Sequence, residues 1–369
     1  MKYIARETAF RENEKRTAGA KARVDIDRIC TEQLGYTPVD IVFDTARFED
    51  RNIVGQLGEH SEALHEWERK TAHLAKGDLL LIQFPPVNHS LMLSRQLSRL
   101  KGRGVSLVAI LHDVEILRGA KRKNKSIKNR MRKHFEEQLC LGHFDRIVVH
   151  NKAMKEAVAD LCGIPAGKMR SLGLFDYLCG ETRSREFGRG VAVAGNLRPD
   201  KSGYAYQLPG NMRWNLYGIQ FSGKAFLPGD ETDPKSPGVY YHGSFLADEI
   251  ADRIDGSFGL IWDGASIDTC EGVFGEYLRY NNPHKTSLYL AAGMPVIVWK
   301  EAAIAGYILK ENCGIAVESI AIIPKILEEM SDEEYHILAQ NAEKVGRRLR
   351  RGDYTRKVLS GIESEILSV

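Results

Sequence analysis

Short, unbroken apolar runs recur along this chain, spaced so that a helix fits between one and the next. Asp78–Phe84 (DLLLIQF), Val105–Leu111 (VSLVAIL), Asp145–His150 (DRIVVH), Val191–Ala194 (VAVA) and Phe258–Trp262 (FGLIW) are too short to be buried helices. A strand with one wet face alternates apolar and polar residues. A strand without alternation is covered on both faces, as in a parallel sheet flanked by helices. Between the runs, Ser61–Ala75, Ser90–Leu100 and Lys152–Leu161 carry helical patterns, and Ala20–Leu34 places Val24, Ile26, Ile29, Cys30 and Leu34 at helical spacing before Gly35–Pro38 stops it. A strand at Val39–Phe43 follows. This alternation predicts an α/β chain of doubly wound sheets. At 369 residues there is room for two such domains. The polar, Gly-flanked stretch Cys179–Gly190 marks the division, giving domains 1–180 and 181–350 and a final helix, within 351–369, that packs back on the first domain.

Composition narrows the class. Hydrophobic residues at 43% and charged residues at 27% fit a soluble globular protein, and a net charge of +3 is too small to argue for nucleic acid. No apolar run approaches the ~20 residues of a membrane span. The start, MKYIARETAFRENEKR, lacks the apolar core of a signal peptide, so a cytoplasmic location is expected. Six cysteines lie far apart without a C-x-x-C pair, which argues for reduced thiols over a zinc site or a disulfide framework. There is no G-x-G-x-x-G and no G-K-[ST], which counts against dehydrogenases and P-loop NTPases.

Ligands of doubly wound sheets sit beyond the carboxyl ends of the strands. That rule singles out Phe84-Pro85-Pro86, His112–Glu115 and His150-Asn151 in the first half. His112, Asp113 and Glu115 are candidates for acid–base work. Asp113 could take a proton while His112 orients it or shares the proton. The structural alternative is that Asp113 caps a turn and Glu115 pairs with Arg118. Asp25 and Asp27 form a D-x-D, but helical residues two apart point about 200° apart and cannot share a metal. Thr17 and Gly19 precede the first long helix, as a plain N-cap or as a loop able to reach a nucleotide.

In the second half, Asn281–Val298 (NNPHKTSLYLAAGMPVIV) joins a helix to a strand. Pro283 suits the first position of a helix, Gly293 suits its left-handed stop, and Pro295–Trp299 is a buried strand. The helix start brings free amides, His284 and Lys285 to one place, a fit for an anion and most simply for a diphosphate. The Gly195-Asn196 turn after VAVA allows close backbone approach, and Arg198 and Lys201 add positive charge beside it. Tyr240 or Tyr241 could stack on a base or simply pack in a strand. Asp263, Asp268 and Glu271 lie in a loop without calcium-loop spacing, better suited to sugar hydroxyls. Arg118–Lys133 holds nine basic residues and no acidic one. It reads as a solvated face or as a surface for anionic lipid; aromatics, which a nucleic-acid patch needs, are missing from it.

Several of these stretches carry a family likeness. PHKTSLYLAAGMPVIV, AAIAGYILKENCGIAV (Ala302–Val317), LHDVEILR (Leu111–Arg118), AGN (Ala194–Asn196), YHGSF (Tyr241–Phe245) and GSFGLIWDG (Gly256–Gly264) occur in the same order in a known group. The chain resembles bacterial GT-B glycosyltransferases, in particular β-1,6-galactofuranosyltransferases and the glucosyltransferases that extend O-GlcNAc on serine-rich-repeat adhesins. The resemblance implies two Rossmann-like domains facing across a cleft, an acceptor-side first domain and a nucleotide-sugar-binding second one. It implies transfer of a hexosyl group from a UDP-sugar, galactofuranose before glucose, with inversion and with neither metal nor cofactor. Nucleotide contact falls on Thr17, Arg198, Tyr241, Pro283, His284, Lys285, Thr286, Ser287 and Leu288, and the base on Asp113, His112 or Glu115. The expected partners are a UDP-sugar donor and a glycan, glycolipid or glycoprotein acceptor. Peripheral contact with anionic membrane at the inner face and a homo-oligomer are also expected, and nucleic acid is not. The rival reading is a GT-B-like nucleotide-binding or partner protein without turnover.

Overall fold

The computed structural model describes residues 1–9, 18–43, 63–86, 91–119, 137–182, 184–223 and 233–367. The chain divides into two compact units. One comprises Met1–Glu14, Arg23–Leu172 and Thr355–Val369; the other comprises Lys15–Ala22 and Gly173–Tyr354.

The first unit is built on a six-stranded sheet in the order β2-β1-β3-β4-β5-β6, every neighbouring pair parallel. Its strands are β1 (Lys2–Ala9), β2 (Thr37–Phe43), β3 (Leu79–Phe84), β4 (Ser106–Leu111), β5 (Arg146–Val149) and β6 (Met169–Ser171). The apolar runs are the middle of this sheet: all six residues of β3 are buried, as are five of the six in β4. The helices between them are α1 (Ala18–Arg28), α2 (63–70), α3 (Leu91–Gly102), α4 (Glu115–Gly119), α5 (137–142) and α6 (Lys152–Cys162).

Strand β1 was not anticipated from the sequence. KYIARETA alternates charged with small or apolar residues, yet it lies inside the sheet between β2 and β3. Its charges are matched locally: Arg6 pairs with Asp40 of β2 at 2.6 Å, and Glu7 accepts from the Trp67 indole at 3.3 Å. Two other expectations change. The helix expected to run to Leu34 turns at Ile29 into a π-helical turn, Ile29–Gln33. Second, His150 and Asn151 are structural. His150 is buried on the Leu111 carbonyl at 3.0 Å, and the Asn151 side chain caps α6 by accepting from the Met154 amide.

The second unit repeats the architecture. Its parallel sheet runs β12-β11-β10-β7-β8-β9. Its strands are β7 (Val191–Asn196), β8 (Arg213–Ile219), β9 (Gly238–Tyr241), β10 (Phe258–Ile261), β11 (Val296–Trp299) and β12 (Gly314–Val317). Its helices are α7 (Pro199–Ser202), α8 (Ile250–Arg253), α9 (Gly272–Tyr277), α10 (His284–Ala291), α11 (Ala305–Lys310), α12 (Ile323–Glu329) and α13 (Asp332–Arg350). Strand β7 runs straight through the Gly195-Asn196 pair that the sequence suggested as a turn, because Gly195 pairs with Gly218 of β8. A side chain at Gly218 would stand 1.7 Å from the Gly195 carbonyl, so only glycine closes that pair. Helix α10 lies tightly on the sheet. A Cβ at Gly259 would fall 2.1 Å from the Tyr289 ring, and the Tyr289 hydroxyl accepts from the Ala194 amide at 2.6 Å. Buried Arg185 donates to the Ala292 carbonyl at the far end of α10, where a cation is favoured by the helix dipole.

The last helix, α14 (Asp353–Leu367), ties back to the first sheet. Glu363 accepts from Lys2 and from the Tyr36 hydroxyl, while Glu365 accepts from Arg146 and Arg170. The basic cluster Arg347–Arg351 is absorbed into pairs, Arg348 with Glu311, Arg350 with Glu343 and Arg351 with Asp353.

Candidate active site

Each sheet has a switch point, where strand order reverses and the chain leaves in opposite directions from adjacent strands. Ligands of doubly wound folds sit at the carboxyl ends of the strands there. In the second unit the switch falls between β7 and β10. At the end of β10 the Lys285 ammonium donates to the Trp262 carbonyl at 2.7 Å and pairs with Asp263 at 3.0 Å; both side chains are largely buried. Helix α10 therefore delivers Lys285 to the place the topology reserves for a ligand.

The helix begins one residue later than expected. Pro283 is the N-cap, with φ −64° and ψ 138°, and His284 takes the first helical position. Proline's fixed φ serves either place, so the shift leaves the helix start where the sequence put it. The His284 ring packs beside Phe175 and Tyr177, with centroids 6.1 and 5.3 Å away. Burial, and after it the Lys21 ammonium, push its pKa down to about 4, so it is neutral. Among the described residues, the Thr286 hydroxyl and the Asn281 side-chain oxygen find no hydrogen-bond partner although both atoms are buried. Unsatisfied buried polar atoms are uncommon, and their gathering at one helix start suits polar contact. Ser287 is buried, and Leu288 belongs to the apolar core, so contact with a ligand from position 288 is a matter for the backbone.

Two further expected residues lie in this unit. Arg198 is the N-cap of α7 and is half exposed, with its guanidinium on Asp200 and its amide on the Asn196 side chain at 3.0 Å. Tyr241 ends β9, donates its hydroxyl to the Gly218 carbonyl at 2.8 Å and stacks obliquely on Phe221, which stacks in turn on Tyr206. Thr17 lies outside the described residues, as does the basic stretch from 120 to 133.

In the first unit the switch falls between β1 and β3. Beside it His112, just past β4, meets Gln83, the penultimate residue of β3: His112 Nε2 is 2.7 Å from Gln83 Oε1. The Gln83 amide nitrogen donates to Asp27 at 2.7 Å and to the Arg23 carbonyl at 3.1 Å. A small pocket lined by Glu7, Arg23, Asp27, Trp67 and Gln83 lies against this chain of groups. Burial raises the Asp27 pKa to about 7, against the opposing pull of its Gln83 hydrogen bond. Asp113 and Glu115 both face Arg118, at 3.0 and 3.6 Å. The amides of Glu115 and Ile116 donate to the buried Glu137 carboxylate, which fixes the start of α4.

The chain matches the model of the glucosyltransferase 3-like N-terminal domain over residues 1–164 and that of the C-terminal domain over 191–362. It is 31% identical to β-1,6-galactofuranosyltransferase WbbI of Escherichia coli K12, covering 79% of this chain and 81% of that one. The chain belongs to the glucosyltransferase 3-like family. It is a glycosyltransferase of GT-B fold. Glucosyltransferase 3 of Streptococcus gordonii is 24% identical over 94% of both chains. Among solved structures, sucrose-phosphate synthase from Thermosynechococcus elongatus superposes with a TM-score of 0.64 at 11% identity over the whole of both chains. Trehalose-6-phosphate synthase OtsA superposes at 0.57 with 11% identity, over 98% of each. These structures share the fold.

The structure gathers the expected residues of this glycosyltransferase into two groups. Pro283, His284, Lys285 and Thr286 stand together at one switch point, whereas Arg198 and Tyr241 are held at the ends of β7 and β9. His112, Asp113 and Glu115 are neighbours in space as in sequence, but they are held differently, His112 by Gln83 and the two carboxylates by Arg118. Sequence reasoning passed over Gln83; it weighed Asp27 only as half of a metal pair and gave Asp263 to sugar hydroxyls, whereas the structure sets Asp27 on Gln83 and Asp263 on Lys285. A glutamine inside the apolar run DLLLIQF was the available signal for Gln83, since a polar residue buried in a central strand needs partners.

Proposed function

We propose that this glycosyltransferase moves a hexosyl group from a UDP-sugar to a hydroxyl of a glycan or glycoconjugate, with inversion at the anomeric carbon. The supporting observation is Lys285, carried by a helix start to the end of β10 at the switch point of the second sheet. A fixed ammonium beside helix amides suits a diphosphate and stabilises the charge that develops as UDP leaves. His112 acts as the base. The acceptor oxygen loses its proton to the imidazole and forms the new bond to the anomeric carbon, and the bond to the diphosphate oxygen breaks with its electron pair leaving on UDP. Asp113 and Glu115, facing Arg118, shape the approach to the base.

Galactofuranose is the first choice of sugar, because the 31% identical relative is named a galactofuranosyltransferase. The glucosyltransferase match at 94% coverage of both chains keeps glucose as the second reading. Incubating the protein with UDP-galactofuranose and with UDP-glucose, and following UDP release, separates the two. Release from one or both donors, lost in Lys285→Ala with the circular dichroism spectrum unchanged, is the expected result. Failure of the wild type to release UDP from either donor or from other UDP-hexoses would favour a non-catalytic nucleotide-binding protein.

A further inference from the structure

We propose that Gln83 is the positioning residue of the base, holding His112 as the tautomer with its hydrogen on Nε2 so that Nδ1 is the nitrogen that accepts the proton. This rests on the reading of His112 as the base.

The tautomer follows from which way the Gln83 amide faces. Its nitrogen has two neighbours, the Asp27 carboxyl at 2.7 Å and the Arg23 carbonyl at 3.1 Å. A backbone carbonyl only accepts, at any pH, so the NH₂ must face it. Turned over, the amide would set its own oxygen against the Arg23 carbonyl. This holds whether or not Asp27 is ionised, which matters because Asp27 titrates near neutrality. Gln83 Oε1 is thereby left facing His112 Nε2 at 2.7 Å, and an amide oxygen can only accept. The imidazole must therefore donate from Nε2, and in a neutral ring the lone pair then sits on Nδ1.

The holder is itself held. Gln83 is buried to 5% exposure, and the Arg23 guanidinium returns a hydrogen bond to its backbone carbonyl at 3.1 Å. The strand, the amide and the first long helix are thus tied in one network, and a fully satisfied buried network is stiff. A base must lie within hydrogen-bond reach of the proton that it takes, so a ring free to rotate loses rate while donor binding on Lys285 is untouched. Among the described residues, the charged and titratable groups around the pair are Glu7 from β1, Asp27 and Arg23 from α1, Asp113, Glu115 and Arg118 around α4, and His150 just past β5.

The tautomer can be read directly. In full-length protein labelled with ¹⁵N-histidine, with the His112 signals identified by their loss in His112→Gln, Nε2 should carry a slowly exchanging proton and Nδ1 none. A proton on Nδ1, or a rapidly averaged pair, in the wild-type protein overturns the inference without any variant. In Gln83→Leu the Nε2 proton should exchange fast, and kcat for UDP release from UDP-galactofuranose should fall at least tenfold with KM changed less than about twofold. Gln83→Glu keeps an acceptor for Nε2 but adds a charge that favours imidazolium, so the acid limb of the kcat profile should move up by a pH unit or more. Unchanged kcat and pH profile in both Gln83 variants, with activity lost in His112→Gln, would sink the role of Gln83 and leave the base standing. Full activity in His112→Gln would sink the base itself, and the role of Gln83 with it, even if the tautomer is as drawn.

Discussion

Replacing Asp27 by asparagine should stabilise the first unit, and by an amount that depends on pH in a defined way. The asparagine side chain can still accept from the Gln83 amide through its oxygen, so the network keeps its shape. What disappears is a carboxyl whose pKa burial lifts from an ordinary 3.8 to about 7. A group raised in the folded state keeps its proton where the unfolded chain has lost it. Wild-type stability from this source is therefore fully present below about pH 4, declines through the window up to about pH 7, and changes no further above it. One pKa unit is about 1.4 kcal/mol, so the advantage of Asp27→Asn should grow by about 1.4 kcal/mol per pH unit between 4 and 7 and level off near 4 kcal/mol. Taking the difference between the two proteins cancels every other titrating group, including buried His150, whose low pKa of about 4 works in the opposite sense. The assay is urea unfolding at a series of pH values. Of the four tryptophans only Trp67 lies in the first unit, so the fluorescence amplitude lost in Trp67→Phe identifies that unit's transition. A stability difference that stays flat from pH 4 to 8 would refute the reasoning, since it would mean Asp27 titrates alike folded and unfolded.

Three other outcomes are expected. Lys285→Ala should abolish the stabilisation by UDP, which for the wild type at a hundred times Kd is about 2.7 kcal/mol, read as a shift in Tm. Asp263→Asn should tighten UDP binding at least threefold by calorimetry, because the carboxylate 3.0 Å from the Lys285 ammonium both occupies it and repels a diphosphate; weaker binding would show that Asp263 is needed to hold the lysine in place. Gly259→Ala should cost about 1–3 kcal/mol in urea unfolding of the second unit, since the added methyl would lie 2.1 Å from the Tyr289 ring and α10 must move to admit it.

Much of the architecture follows from local pattern. Runs such as LLLIQF and SLVAIL have no wet face, so they could only be central parallel strands, and the structure places them there. The helix start at Pro283–Lys285 was equally visible, because proline, a polar cluster and a downstream glycine are local signals with local causes. β1 escaped because its charges look like those of a solvated segment. Arg6 and Glu7 are tolerated inside a sheet only because Asp40 and Trp67 meet them from elsewhere in the chain.

The residues around the base escaped for the same reason. Nothing near His112 in sequence announces Gln83, Asp27 or Arg23, which lie 29, 85 and 89 positions away. What the sequence determined by itself is the alternation of strand and helix, the two-sheet fold class and the chemistry available at each strand end, since periodicity and capping act over a few residues. The tertiary structure alone decided which amide faces the histidine, which carboxyl that amide meets and what the Lys285 ammonium finds at the end of β10. Those outcomes depend on strand order and burial, and both are settled only when distant segments pack.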